Sequence, residues 1–580
     1  MTGLARKLIC GWLPILFLVL VVLSSVPAAP AADETGDALQ LVWDQKIPMR
    51  DGVKLSAVIW KPRHMTESLP AIVTITPYGA QRSLTQAKYF ATHGYVLVAV
   101  DSRGRGNSEG SFRPFRDDGA DGYDIVEWAA KQPWCNGKVG TWGGSYSGFN
   151  QWATMKYHPP DLKVAIPFAS GGVISDIPMF NNIVSSHLFN WLTLVSGRIM
   201  NSELTGDDDY WEDADKELAR QGKSFRDLEE VVGNTSTAWK EMLAHPTIDD
   251  YWLSMIPSPQ DYQKIDIPIL TVTGHYDGDQ GGALMYYRDF MQYASPAAQA
   301  NHYLIIGPWD HHGTLYNKDE VGKIKFGPNA VLNMIQIHLE FYDWALKGKE
   351  PPKFLKDKVA YYVAGRDEWR YSSTLSGISD DKKTFYLSSE PLRVHDAYHA
   401  GYLSEEPMAE NAPDVFASDP GDLKALLDEK NTELYFYTPP LEEPLTMSGV
   451  ANFDAYIAID RPDADFSVKL QEVMKDGTVI PLAFDAKRAR YNHSLRAAEL
   501  VKPGEVNQYV FSTFHLFSRQ LAKGSRLRIS FSVMNTSGEQ RNMNTGGPVS
   551  EQTIEDAKPV QVTLYHDRKY PSRLVVPVIR

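Results

Sequence analysis

Cysteine is nearly absent from this chain of 580 residues, which holds only Cys10 and Cys135. Cys10 sits in an N-terminal segment that reads as a removable leader, so one thiol remains and an internal disulfide is excluded. Stability then has to come from the core, even in an oxidising compartment. No histidine near Cys135 in the sequence would activate it, and it reads as a buried structural thiol. Basic residues are also in deficit, with 58 Lys and Arg against 72 Asp and Glu, a net charge of −14. Such an acidic chain is poorly suited to bind nucleic acid or an anionic membrane surface. No His-Glu-x-x-His ligand pattern occurs, and the Gly104-x-Gly106 run does not extend to a Gly-x-Gly-x-x-Gly opening a helix. No repeat recurs at a fixed period. Neither a metal nor any other cofactor is expected.

The N-terminal segment differs from the rest. Arg6 and Lys7 form a basic start, Leu13 to Leu23 is almost wholly apolar, and Val26-Pro-Ala-Ala-Pro-Ala-Ala32 supplies small residues before the acidic Asp33. This three-part pattern is that of a secretory signal peptide over residues 1–32, cleaved after Ala31 or Ala32, and it makes the mature protein secreted or periplasmic. The competing reading is an uncleaved anchor, since Leu8 to Leu23 is not far short of a spanning length. With the leader gone, no stable membrane insertion is expected.

Downstream, short apolar runs alternate with helical stretches. Ala71–Thr76, Tyr95–Val100, Val139–Trp142 and Val164–Pro167 read as strands, with helices at Gln86–His93 and Tyr123–Lys131 between them. The pattern resumes with Ile269–Thr273, a helix near Ala283–Tyr293, Tyr303–Ile306 and a helix near Val331–Leu346. Strand and helix in alternation imply βαβ units and a parallel sheet. The gap at residues 172–263 lacks strand patterns and reads as a helical cap over the carboxyl edge of that sheet. From residue 383 to 580 alternation of period two takes over, as in Leu527, Ile529, Phe531 and Val533 against Arg528, Ser530 and Ser532. That pattern describes an antiparallel sandwich or jelly roll. The expected fold class is thus α/β. Its core spans residues 33–171 and 264–382, interrupted by the cap and followed by an all-β domain.

The strongest chemical signal is Lys138-Val-Gly-Thr-Trp-Gly143-Gly144-Ser145-Tyr146-Ser147-Gly148, a strand, a glycine-flanked serine and a helix. This is a nucleophile elbow, although the second glycine stands three residues after the serine rather than two. A serine nucleophile needs a base, and the base needs an orienting acid. Leu270-Thr-Val-Thr-Gly-His-Tyr-Asp277 and Tyr303-Leu-Ile-Ile-Gly-Pro-Trp-Asp-His311-His312 each run from a strand into a polar loop. Asp277 and His311 therefore follow Ser145 in the chain order of α/β-hydrolases. An aspartate in a turn and a histidine capping a loop are the plainer readings of each alone; three coincidences in order favour catalysis. For the oxyanion, Thr76-Pro77-Tyr78-Gly79 follows an early strand at the place of a first donor, and the N–H of Tyr146 is the second.

Gly-x-Ser-Tyr-x-Gly at 143–148, Pro-Tyr at 77–78, Tyr-Asp at 276–277 and Gly-Pro-Trp-x-His at 307–311 resemble the cocaine esterase / X-Pro dipeptidyl-peptidase family. So do Asp101-Ser-Arg-Gly-Arg-Gly-Asn-Ser-Glu-Gly110, Gln132-Pro-Trp-Cys-Asn-Gly137 and Asp463-Ala-Asp-Phe-Ser-Val-Lys-Leu470. The resemblance spans nearly the whole mature chain. It implies an α/β-hydrolase core, a helical cap and a C-terminal jelly roll. It also implies a triad of Ser145, Asp277 and His311, with the Tyr78 hydroxyl and Tyr146 amide as oxyanion hole; His312 has no implied role. Relatives that grip a substrate ammonium carry adjacent acids past the triad aspartate, where this chain has Asp279 followed by Gln280. Asn181-Asn182 stands where a third acid would come. Asp279 and Gln280 are the candidate substrate contacts on this side, and Trp191 on the cap, among the aromatics Phe189, Tyr210 and Trp211.

The expected function is hydrolysis of carboxylic esters or amides through an acyl-enzyme on Ser145. X-Pro dipeptidyl-peptidase and α-amino acid ester hydrolase or acylase activities are the alternatives. A metal hydrolase built on His275, Asp277, Asp279, His311 and His312, and a carbohydrate-binding protein without catalysis, are the rivals from other classes. The plainer reading of Asp279 is a solvated loop residue, and simple esters are then turned over at least as well as α-amino acyl esters. The expected partner is a small ester, amide or short peptide; association into a homo-oligomer is left open.

Overall fold

The computed structural model describes residues 39–389, 400–408, 411–428, 430 and 432–580. The leader expected over residues 1–32 lies outside the described residues. Strands β1 (Leu39–Pro48) and β2 (Lys54–Pro62) pair antiparallel across the Met49–Gly52 turn, where Gly52 takes the φ of 88° that such a turn demands. There follow β3 (Leu69–Thr76), helix α1 (Leu84–Thr92), β4 (Val96–Asp101), α2 (Asp118–Ala130), β5 (Cys135–Ser145), α3 (Tyr146–Met155) and β6 (Leu162–Ser170).

After β6 the chain leaves the sheet for residues 171–268. It forms a small ribbon, β7 (Met179–Phe180) and β8 (Ile183–Val184), and then helices that include α4 (His187–Leu194), Asp208–Arg220 and Thr237–Leu243. The ribbon departs from the expectation of no strand here; Met179, Ile183 and Val184 are buried. Trp211, Trp239 and Trp252 form the interior of this cap. The core resumes with β9 (Ile269–Tyr276), α5 (Gln280–Tyr293), β10 (His302–Asp310), the ribbon β11 (Glu320–Val321) and β12 (Ile324–Lys325), α6 (Met334–Lys347), β13 (Val359–Val363) and β14 (Glu368–Ser372).

These strands make one ten-stranded sheet in the order β1-β2-β4-β3-β5-β6-β9-β10-β13-β14. Every pairing from β4 to β13 is parallel, and only the two edges are antiparallel. The parallel strands read as continuous apolar runs because helices cover both faces. Phe90, Trp142, Phe341 and Tyr342 fill one face, and Ile125, Phe149, Trp152, Tyr286 and Phe290 the other. Each such side chain contributes roughly 1.5–3 kcal/mol on burial.

The second unit is β-rich and opens with strand Asp381–Ser388. Its strands join a separate 13-stranded sheet around Phe385, Phe436, Phe453, Phe466, Val468 and Phe531. One pairing, Ala400–Ser404 with Glu433–Tyr437, is parallel, against the antiparallel expectation. Ser530 and Ser532, which alternate with the apolar residues of their strand, are nonetheless buried at 2% and 4% exposure, on a strand paired on both sides. Ser532 Oγ hydrogen-bonds Ser467 Oγ at 2.8 Å. This domain clamps the cap ribbon. Arg488, paired with Asp465 at 2.9 Å and fully buried, donates to Asn182 O at 3.0 Å, and Gln540 N–H donates to Val184 O at 2.8 Å.

Candidate active site

Strand ends at one edge of the parallel sheet deliver the candidate reactive residues. Ser145 closes β5 with φ 60° and ψ −128°, a conformation unfavourable for a residue with a Cβ, and α3 starts at the next residue. Strain of this kind lifts the hydroxyl clear of the sheet. The glycine spacing follows from the packing. A Cβ on Gly144 would lie 2.3 Å from the Phe168 ring, and one on Gly148 would lie 2.9 Å from Ser170 Cα. The position two after Ser145 accepts Ser147, whose Oγ donates to Ile75 O at 2.7 Å. It is contact with β6 that requires glycine at 148.

Parallel pairing of β9 with β10 sets Asp310 opposite Tyr276, so the next residues, Asp277 and His311, emerge side by side. Asp277 Oδ1 lies 2.9 Å from His311 Nδ1. The same carboxylate accepts the Asp279 N–H at 3.0 Å and, through Oδ2, the Thr273 hydroxyl at 2.9 Å. Asp277 is buried and fixed on both oxygens. With Nδ1 committed to Asp277, the Nε2 of His311 is the nitrogen left for proton transfer.

The Tyr78 hydroxyl meets both the Ser145 side chain and the Tyr146 N–H, and it accepts from Trp191 Nε1 at 3.0 Å. Burial raises the Tyr78 pKa above its ordinary value, so the phenol keeps its proton at neutral pH. An acceptor contact from Trp191 leaves that proton free to be donated. The Tyr146 ring stacks on Trp191, with centroids 5.4 Å apart, and its hydroxyl donates to Asp118 Oδ2 at 2.7 Å. Trp191 therefore touches both Tyr78 and Tyr146, the two residues expected to donate to an oxyanion. The sequence placed it only as a substrate contact.

An acidic patch borders the histidine. Asp279 Oδ2 lies 3.7 Å from His311 Nδ1, and its side chain is 18% exposed. Asp279 is thus not a solvated loop residue, which corrects the plainer sequence reading; the turn after β9 folds it inward. Asp176 joins it, accepting Gly172 N–H at 2.7 Å and also Gly282 N–H. Burial, and then the charge of Asp279, push Asp176 well above the usual carboxylate range. Burial also raises Asp279, to about 6, against the opposing pull of His311. Burial alone would lower the His311 pKa; its bond to Asp277 and the charges of Asp279, Asp277 and Asp176 outweigh that and lift it to about 9.

Several expectations change here. The further acid is Asp176, not a residue at 181–182. The Asn181 amide instead reaches Asp485, Ala486 O and Thr513, and the Asn182 amide donates to Leu495 O. Gln280 is no free substrate contact: its amide donates to Gly274 O and Leu516 O at 2.8 Å each, and accepts Leu516 N–H at 2.6 Å. It locks the Asp277 loop to the β-rich domain. His275 is buried, which holds its pKa down to about 3, with the Arg519 charge acting in the same direction. Cys135 is buried, which pushes its thiol pKa up, the opposite of what a nucleophile needs. A cavity of about 510 Å³ lies beside the acids, lined by Asp176, Phe180, Met285, Phe484, Phe514 and His515 among others.

Residues 51–313 match the profile of the X-Pro dipeptidyl-peptidase (S15 family), and residues 354–575 match that of the X-Pro dipeptidyl-peptidase C-terminal non-catalytic domain. The chain belongs to the X-Pro dipeptidyl-peptidase and cocaine esterase family. It is a serine hydrolase. Cocaine esterase of Rhodococcus sp. (strain MB1 Bresler) is 26% identical to it, over 92% of this chain and 98% of that protein. An α-amino acid ester hydrolase structure superposes with a TM-score of 0.80 at 22% identity, covering 96% of this chain and 100% of the other. An aminopeptidase from a marine sediment Thaumarchaeota archaeon superposes with a TM-score of 0.79 at 22% identity, covering 96% and 99%. These two likenesses bear on the fold. The family also accounts for the two-part architecture, an α/β-hydrolase core followed by a β-rich domain.

Proposed function

We propose that this enzyme hydrolyses carboxylic esters or amides through an acyl-enzyme on Ser145. The observation that carries the reading is the strained Ser145 beside two oxyanion donors, at the sheet edge that also bears the Asp277–His311 pair. His311 Nε2 takes the hydroxyl proton as Ser145 Oγ bonds to the acyl carbon. The carbonyl electron pair becomes an oxyanion, held by the Tyr78 hydroxyl and the Tyr146 N–H. Collapse breaks the bond to the leaving group, which receives the proton from His311. Water, deprotonated by His311, then releases the acid and regenerates Ser145. Asp277 keeps the imidazole oriented and stabilises the imidazolium. Rapid quenching during turnover of a p-nitrophenyl ester, followed by intact-mass measurement, is expected to show one acyl group per chain on Ser145. A pre-steady-state trace without a burst and no adduct under any quench would count against the acyl-enzyme.

A second reading is favoured by Asp176 and Asp279. Two neighbouring carboxyl groups beside the triad suit a substrate ammonium, which would restore full ionisation to both. Esters or peptides with a free α-amino group would then be preferred. The leader pattern further supports export; the N-terminus of the mature protein is expected at residue 32 or 33, and an intact N-terminus on the exported protein would contradict cleavage.

A further inference from the structure

The segment from Asp101 to Gly110 takes no part in the chemistry above, yet it surrounds a residue that does. β3 and β4 pair in parallel with Thr76 opposite Asp101, so the loop after β4 emerges beside the Tyr78 turn. Asp101 Oδ1 accepts the Ala80 N–H at 2.7 Å, and Arg105 Nε donates to Pro77 O at 2.8 Å. The backbone is thereby held on both sides of Tyr78. The Tyr78 N–H itself donates to Thr76 Oγ1 at 3.1 Å. Arg105 reaches further: its Nη1 donates to Val195 O at 2.6 Å and to Gly197 O, just past α4. That helix carries Trp191, whose indole N–H meets the Tyr78 hydroxyl.

Arg105 is 0% exposed and is bonded to carbonyl oxygens rather than to a carboxylate. A buried guanidinium is costly, and one whose direct partners are neutral is retained only where its forked donors are needed. Burial lowers its pKa to about 10, which still leaves a cation at neutral pH. The loop has no slack: a Cβ on Gly106 would stand 2.1 Å from Asp101 Oδ2. Gly106 N–H also donates to Arg198 O of the cap at 2.7 Å, a second tie between loop and cap.

We infer that the Asp101–Gly110 loop positions the oxyanion hole, with Asp101 and Arg105 as positioning residues that fix Tyr78 between the sheet and the cap helix bearing Trp191. The inference rests on the reading of Tyr78 as an oxyanion donor. Small displacements of such a donor cost rate rather than substrate binding, because its bond shortens only as charge develops.

The test is a mutant cycle with Tyr78→Phe, Arg105→Lys and the double variant. It reads kcat and KM on a neutral ester, and the Ki of a trifluoromethyl ketone. That inhibitor takes Ser145 Oγ on its carbonyl carbon, passes the hydroxyl proton to His311 and leaves an oxyanion in the hole. Arg105→Lys is expected to lower kcat roughly tenfold and raise the ketone Ki by a similar factor, with KM changed less than twofold. In the Tyr78→Phe background the further loss is expected to fall within about twofold, because the group being positioned is gone. An equal tenfold loss in both backgrounds, or an effect confined to KM, overturns the inference. A Tyr78→Phe enzyme with unchanged kcat instead overturns the oxyanion reading beneath it. Should the lysine variant not fold, Asp101→Asn enters the same cycle with the same expected and contrary outcomes.

Discussion

Replacing Asp279 by asparagine isolates one of the charges that act on His311, the expected general base. The substitution removes an anion 3.7 Å from His311 Nδ1 and keeps the backbone N–H that holds Asp277. At that distance the charge pair is worth about 1 kcal/mol in bulk water and about 2 kcal/mol at an effective dielectric of 40, a screened value suited to an imidazole whose side chain is 33% exposed. These energies correspond to about 1 to 2 pH units. The sign follows from the cause: an anion stabilises imidazolium, so removing it lowers the His311 pKa. The proposed mechanism needs neutral His311. In the wild type the acid limb of kcat/KM is therefore expected well above the ordinary histidine value, toward about 9, where the acids place His311. In Asp279→Asn the limb is expected about 1 to 2 pH units lower, with kcat/KM raised roughly 10- to 100-fold on the steep part of the limb. The assay is kcat/KM across pH 5 to 10 for an ester uncharged in acyl and leaving groups, with active sites titrated at each pH. A limb that stays within about 0.3 unit of wild type, or moves upward, would refute the electrostatic argument.

Other outcomes follow from the same geometry. Tyr78→Phe removes one oxyanion donor and is expected to lower kcat by roughly 10²–10³-fold with little change in KM; a change in KM alone would make Tyr78 only a pocket wall. If Asp176 and Asp279 receive an ammonium, matched esters with a free α-amino group are expected to exceed their des-amino counterparts by about 100-fold in kcat/KM, worth roughly 2.7 kcal/mol. That preference is expected to vanish in Asp176→Asn; equal turnover of the two esters in wild type would return the enzyme to simple esters. Arg488→Met leaves the buried Asp465 without its cation and breaks the tie to Asn182. It is expected to destabilise the protein by about 3–5 kcal/mol in urea unfolding, and a loss below about 1 kcal/mol would show that the pair does not hold the cap ribbon.

What the sequence disclosed depended on how local each feature is. The parallel core strands were legible because burial on both faces writes continuous apolar runs, as in Val96–Asp101. The positions of Ser145, Asp277 and His311 were legible because each stands at the end of a strand or one residue past it, in the order the fold requires. Asp176 was not, since it meets Asp279 only through tertiary folding about 100 residues apart in the chain, and no local pattern marks it. Its one available signal was its place just past the end of β6. Gln280 misled for a related reason: its side chain turns to Leu516 of the other domain, more than 200 residues away. The burial of Ser530 and Ser532 escaped period-two reasoning, which cannot tell a central strand from one with a wet face. The motif at residues 101–110 carries no local sign of its contacts, because Arg105 bridges Pro77 and Val195, segments far from it in the chain.

The central claim, that Ser145 is the nucleophile, is tested most directly by a fluorophosphonate. The wild-type chain is expected to gain one phosphonyl group, lose turnover in step with labelling, and yield a single modified peptide in which the adduct maps to Ser145. Ser145→Ala is expected to keep the fold while taking no label and hydrolysing no ester. Stoichiometric labelling at another residue, or near wild-type hydrolysis by Ser145→Ala, would contradict the account.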